Sequence, residues 1–193
     1  MAKFGIVVPY VEEHEKLLPN CIRSIYEASE NSSVSVDIIK IEDPFREGVP
    51  STLNFVLKFF QHDYFGYFGA DDIMLPNAFK NLENFNGAWC YGDCLMDGKP
   101  YYAGIFDAEK LKKKNYIPSG SVFVRSDIIK SIKFNEDIKF GEDWEMWLQI
   151  SKNYEPFYIN QFQYNYSTTT STFTKAGLGK RRFVSWWNRR KFR

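Results

Sequence analysis

Tyr64-Phe65-Gly66-Tyr67-Phe68-Gly69-Ala70-Asp71-Asp72 is the stretch whose reading decides the fold. The apolar, aromatic run predicts a buried strand, and it stops abruptly at two adjacent carboxylates, with Pro76 four residues further on. Side-by-side carboxylates repel, so leaving them together at the mouth of a sheet calls for a compensating cation. A hard divalent ion such as Mg²⁺ or Mn²⁺ takes oxygen ligands and commonly bridges one or two carboxylates to substrate phosphates. In open α/β sheets, ligands sit outside the carboxyl ends of the strands, where this pair falls. Taken alone, an Asp-Asp pair reads first as a solvated turn; its surroundings along the chain shift that balance.

Upstream, Phe4–Val8 is an apolar, β-branched run stopped by Pro9, a first strand. Leu18, Cys21, Ile22 and Ile25 recur at helical spacing. Val34, Val36, Ile38 and Ile41 predict a second strand ending at Glu42-Asp43-Pro44. A helix then starts at Pro50-Ser51-Thr52, capped by Ser51 or Thr52, with Leu53, Val56, Leu57 and Phe60 as its apolar face. Strand–helix alternation of this kind implies right-handed crossovers and a largely parallel sheet.

Downstream the pattern is less regular. Trp89–Tyr91 predicts a short strand, Gly92 to Pro100 a turn-rich stretch, and Lys110–Lys114 a solvated face. Ser121–Val124 reads as a strand and Ser126–Ile132 as a short helix. In Gly141-Glu142-Asp143-Trp144-Glu145-Met146-Trp147-Leu148, the residues Trp144, Trp147 and Leu148 share a helical face that would anchor in the core. Glu142 and Asp143 then occupy the first turn, where acids also simply favour the helix dipole. Asp93, a loop acid in this reading, is more readily structural than part of an acceptor cleft.

At 193 residues with 44% hydrophobic side chains, the chain can bury one full core, and 18% aromatic residues predict an aromatic-rich core and cleft. Three cysteines, Cys21, Cys90 and Cys94, form no CxxC pair and read as reduced thiols of a cytosolic protein. His14 and His62 are the only histidines, which argues against a zinc site or a histidine-based triad. Phe4–Val8 is too short for a signal-peptide core, and no apolar run spans a bilayer. The expected location is cytoplasmic, with a peripheral membrane position open.

Taken in order, these residues resemble the family 2 glycosyltransferases of the GT-A fold. Phe4–Tyr10 resembles the family's opening strand and its proline-containing loop, and Ile38–Asp43 the second strand, ending in acids. Thr52-Leu53-Asn54, Asp71-Asp72 with Pro76, Ile117-Pro118-Ser119-Gly120-Ser121, and the Phe134–Leu148 stretch with Glu142-Asp143 follow in the family's order over residues 4–170. No one of these motifs is specific; their order and spacing are. The resemblance implies a GT-A-like, Rossmann-type α/β sandwich with a mostly parallel central sheet flanked by helices. It also implies an inverting, metal-dependent transfer from a nucleotide-sugar donor, UDP-linked, to a hydroxyl on a glycan or lipid-linked glycan. Mn²⁺ or Mg²⁺ would sit on Asp72 and Asp71, with Asp71 also placed for the ribose. Pro9, Tyr10, Glu42, Asp43 and Asn54 would hold the nucleotide. Asp143, with Glu142 as the alternative, would be the base that deprotonates the acceptor. The chain departs from the family where Gly69 replaces a further Asp, and where Tyr164-Asn165-Tyr166-Ser167 carries no late Arg or His. Lys175, Lys180 or the hydroxyls among Thr168–Thr172 then stand as partners for the pyrophosphate.

The domain reading is 1–174 for the transferase domain and 175–193 for a basic, aromatic tail. Eight of the 25 Lys and Arg lie in that tail, leaving 17 against 24 Asp and Glu in residues 1–174. Phe183, Trp186 and Trp187 interleave with the cations. An anionic membrane surface, DNA, or the acidic body itself are the candidate partners of the tail. Two other functions remain open beside the leading one. The chain would suit a phage-type transferase acting on modified DNA bases, or a non-catalytic nucleotide-sugar or anion-binding module on the same fold.

Overall fold

The computed structural model describes residues 2–30, 32–138 and 140–169. The predicted tail, 175–193, lies outside the described residues, as do Lys175 and Lys180. Strand β1 (Lys3–Tyr10) is followed by a 3-10 turn and helix α1 (Leu18–Ser29), then β2 (Ser35–Glu42), α2 (Val49–Leu57) and β3 (Tyr64–Tyr67). Short β4 (Ile73–Met74) leads to β5 (Trp89–Met96) and β6 (Lys99–Tyr101). Helix α3 (Ala108–Lys113), a 3-10 turn at Ser119–Ser121, β7 (Phe123–Arg125), α4 (Ser126–Ile132), α5 (Glu142–Ile150) and β8 (Phe157–Tyr166) complete the order.

The sheet runs β2-β1-β3-β7-β5-β8-β4, with β6 on β5. β1, β2, β3, β5 and β8 share one direction, while β7, β4 and β6 reverse it. The sheet is therefore mostly parallel, and its reversed strand β7 sits in the middle. Alternation along β1 sends Phe4, Ile6 and Val8 to one core and Val7 to the other. The first core packs under α1 through Leu18, Cys21, Ile25 and Ala28, spaced as a single helical stripe. The second packs under α2, α4 and α5, where Trp147 stacks on Trp89 at 5.8 Å and Trp144, Trp147 and Leu148 are all buried as expected.

Topology fixes what lies at the carboxyl edge. α2 feeds β3 and α5 feeds β8, both strands of the common direction, so each helix begins at that edge. β7 runs against β3, pairing Phe65 with Val124, so the turn at Ser119–Ser121 lies beside the end of β3.

Several expectations change. α2 starts at Val49, two residues before Ser51, and its N-cap is Gly48, with φ of 102°. Asp43 orders the loop that leads into it, accepting the Glu47 and Gly48 N–H groups at 2.9 and 2.8 Å. The Gly92–Pro100 stretch is not a loop. β5 continues to Met96, and the turn is only Asp97-Gly98, both at positive φ as a tight hairpin requires. Asp93 is tolerated inside a buried strand because its carboxylate accepts Ala103 N–H and the Tyr158 hydroxyl at 2.8 and 2.9 Å. β4 and the ten-residue β8 were not foreseen. The Lys110–Lys114 stretch falls largely in α3, whose N-cap Asp107 accepts the Lys110 N–H at 2.9 Å.

Candidate active site

Asp72 lies five residues past the end of β3, immediately before β4, and is only 5% exposed, while Asp71 is half-buried. The Ser167 N–H, at the exit of β8, donates to Asp72 Oδ1 at 3.0 Å, so the end of the last strand folds back onto the acid pair. Burial, then the charge of Asp71, pushes the Asp72 carboxyl well above the usual range, against the pull of the Ser167 and Gly69 backbone N–H groups. Asp71 Oδ1 and Asp72 Oδ2 both pack against Gly69: a Cβ there would lie 2.8 Å from each. Position 69 must therefore be glycine for the two carboxylates to lie so close to the backbone. Where the family pattern has a further carboxylate, this chain has a glycine beneath two.

Adjacent carboxylates are the kind of oxygen ligand a hard cation takes. Asp71 and Asp72 offer two such side chains, and no group of three or more His, Cys, Asp or Glu able to hold a metal occurs among the described residues. Two ligands with the remainder left to phosphate and water is the usual Mg²⁺ arrangement at nucleotide sites.

The second acid pair opens α5. Gly141 is its left-handed N-cap, and Glu142 and Asp143 fill the first turn, both half-buried. Asp143 Oδ1 accepts Trp144 N–H at 2.7 Å and Oδ2 accepts the Asn115 side-chain amide at 2.8 Å. Burial raises both carboxyls; the charge of Asp143 adds to the rise of Glu142, which reaches about 8. The two titrate as a pair.

Aromatic hydroxyls link the pairs. Tyr67, at the end of β3, has its phenol pushed up by burial and then by Asp143 and Glu142, and it bonds to the Ser119 hydroxyl. Tyr164 of β8 feels burial and then Asp72, and bonds to the Gly120 backbone. The carboxyl edge thus reads, in order, Asp72, Tyr164, the Ser119–Ser121 turn, Tyr67, and Glu142-Asp143.

Beside it, Pro9, Tyr10, Val11, His14, Asp43, Val49 and Thr52 line a cavity of about 110 Å³. Of the predicted nucleotide residues, Pro9, Tyr10 and Asp43 come together there. Glu42 is exposed at the strand end, in register with Tyr10. Asn54 does not join them: its amide is buried, donating to Phe134 O and Glu136 Oε1 at 2.9 and 2.8 Å and accepting Phe134 N–H at 2.9 Å. It ties α2 to the loop before α5. His14 and Asn115 are the site residues that sequence reasoning missed; His14 is four positions past Tyr10, close enough to have been suspected. A larger hollow of about 520 Å³, lined by His62, Asp63, Arg125 and Asp127 among others, lies at the opposite, amino edge, away from both acid pairs. The three cysteines are free and buried, and no helix among the described residues is long and apolar enough to cross a membrane.

No protein-family profile matches the chain. It is 26% identical over 136 residues to the minor teichoic acid biosynthesis protein GgaB of Bacillus subtilis, covering 62% of this chain and 15% of that protein. It is 24% identical over 166 residues to the uncharacterized glycosyltransferase MJ1057 of Methanocaldococcus jannaschii, covering 78% of this chain and 57% of the relative. Among solved structures, residues 1–349 of S. aureus TarS in complex with UDP superpose with a TM-score of 0.63 at 14% identity, over 86% of this chain and 60% of that one. The mannosyltransferase PcManGT of Pyrobaculum calidifontis, in complex with GDP-Man and Mn²⁺, gives 0.60 at 13% identity, over 88% and 58%. The chain spans less than two thirds of the length of each of these proteins. In fold it is like proteins solved with nucleotides and nucleotide sugars.

Proposed function

We propose that this chain is a family 2-type glycosyltransferase domain, inverting and metal-dependent, that moves a sugar from a UDP-linked donor to a hydroxyl of a glycan or lipid-linked glycan. The observation that carries the reading is the placement of two adjacent-acid pairs on one sheet edge, next to a cavity lined by Pro9, Tyr10 and Asp43. The nucleotide base lies in that cavity, against the Tyr10 ring and beside His14. Asp71 and Asp72 hold Mn²⁺ or Mg²⁺, which when bound neutralises the charge that builds on the departing pyrophosphate. Asp143 accepts the proton of the acceptor hydroxyl as its oxygen bonds to the anomeric carbon and the bond from that carbon to the diphosphate breaks. A base across the cleft from the diphosphate makes the attack in line, which inverts the anomeric centre. The similarity to a protein named for teichoic acid biosynthesis supports a carbohydrate-polymer acceptor over DNA. A binding module has no use for a carboxylate held between two donors as Asp143 is.

Thermal melting with UDP tests the reading. UDP with Mn²⁺ raises stability by about 2.7 kcal/mol at a hundred times Kd, whereas UDP in EDTA raises it far less. Asp72→Asn abolishes the metal-linked part and leaves the fold intact. Equal stabilisation with and without chelator removes the metal-dependent mechanism.

A further inference from the structure

Asn115 belongs to no motif, yet it is the side chain that touches Asp143. It lies between α3 and the Ser119–Ser121 turn, in a segment tied to α5 at two points. The Trp144 indole N–H donates to Leu111 O at 2.7 Å, and Asn115 Nδ2 donates to Asp143 Oδ2 at 2.8 Å. The amide has one workable orientation. Asn115 Oδ1 accepts the Ile117 backbone N–H at 3.2 Å, a bond its NH₂ end cannot make, so the donor end faces the carboxylate. Tyr116, next in the chain, is buried and braced through its hydroxyl to Asp107 N–H at 2.7 Å, which keeps the segment in place.

The groups that bear on Asp143 are few. Glu142 shares its helical turn and Tyr67 reaches the pair from β3. On α3, Lys112 is paired with Glu109, and Lys110 reaches Ala103 O and the Tyr116 ring; Lys113 and Lys114 are exposed. A hydrogen bond to an ionised carboxylate is roughly twice as strong as one between neutral groups, so Asn115 favours the charged form of whichever acid it touches. We infer that Asn115 is a positioning residue that holds Asp143 aimed and ionised, and so leaves to Glu142 the proton the two acids share. This rests on Asp143 being the base proposed above. It also supplies what the helix dipole alone does not: a reason for adjacent acids on one turn to take different protonation states.

Carboxyl ¹³C NMR titration of the full chain, labelled at Asp and Glu side chains, tests the inference with neither donor nor metal added. In the wild type, Asp143 loses its proton before Glu142. Asn115→Leu, of similar volume without a donor, raises the proton affinity of Asp143 by about tenfold or more, equivalent to a pKa unit. Asn115→Asp keeps the shape and an acceptor for Ile117 N–H, raises it further, and serves if the leucine variant does not fold. An Asp143 titration that is the same in folded variant and wild type overturns the inference. Turnover of a UDP-sugar then separates the two claims: the acid limb of the kcat/KM profile moves to higher pH in Asn115→Leu while donor KM stays put. A shifted titration in a protein with no turnover upholds the role of Asn115 in the pair and removes the transferase reading instead.

Discussion

Asp71-Asp72 follows a strand and Glu142-Asp143 opens a helix, and the two settings treat adjacent carboxylates differently. At the strand end, the backbone N–H groups of Ser167 and Gly69 favour the charged form of Asp72, and both carboxylates of the pair pack against Gly69. At the helix start, the free N–H groups of the first turn and the Asn115 amide already supply donors. On the proposed reading the first pair takes a cation and the second shares one proton between two acids. Similar pairs of adjacent acids then serve different roles, and what separates them is the set of groups around each pair.

The largest expected effect probes the helix pair. Asp143→Asn lowers sugar transfer by about 10²–10⁴-fold, the usual loss for a general base, with UDP-linked stabilisation retained. If Glu142→Gln is the inactive variant and Asp143→Asn keeps its rate, the assignment within the pair is reversed. Activity surviving in both reduces the helix acids to dipole partners, and the contrast disappears.

A smaller effect belongs to the strand pair. Gly69→Ala places a methyl group 2.8 Å from Asp71 Oδ1 and Asp72 Oδ2 and must push both carboxylates aside. The Mn²⁺-linked gain in UDP affinity falls by about tenfold, roughly 1.4 kcal/mol, with circular dichroism unchanged. Calorimetry that finds the same Mn²⁺ coupling in Gly69→Ala would place the cation elsewhere.

A further effect is on stability against pH. Glu142 rises from 4.5 to about 8 on folding, so the folded state holds its proton more tightly than the unfolded chain does. Its contribution is fully present below about pH 4.5 and is lost as pH rises towards 8. In EDTA, the melting temperature of Glu142→Gln should fall less over that interval than that of the wild type. Parallel curves would mean that Glu142 sits in a more watery setting than the packing around α5 indicates.

The first half of the chain was legible because its elements follow local rules. β1, β2 and β3 are apolar runs ended by polar residues, α1 carries a single apolar stripe, and the acids past the strand ends mark the carboxyl edge. The second half was less so. The sequence Gly92-Asp93 looks like a turn, and becomes strand only because β8 pairs along it through a register shift and Tyr158 and Ala103 satisfy the acid. Asn54 looked like a nucleotide ligand because of where it falls in a motif. Its partners, Phe134 and Glu136, are some eighty positions away, and no local pattern announces them.

The sequence by itself determined the strand–helix order, the two acid pairs and the aromatic anchoring of α5, since these depend on periodicity and on which side chains can be left in water. Only the tertiary structure decided that β7 runs backwards through the middle of the sheet, bringing the Ser119–Ser121 turn between the acid pairs. Only it decided which donors reach which acids, with Ser167 closing on Asp72 and Asn115 on Asp143. The reason is physical: apolar burial is read along the chain, whereas the protonation state or cation demand of a carboxylate depends on donors and charges within a few ångströms, and those come from distant segments.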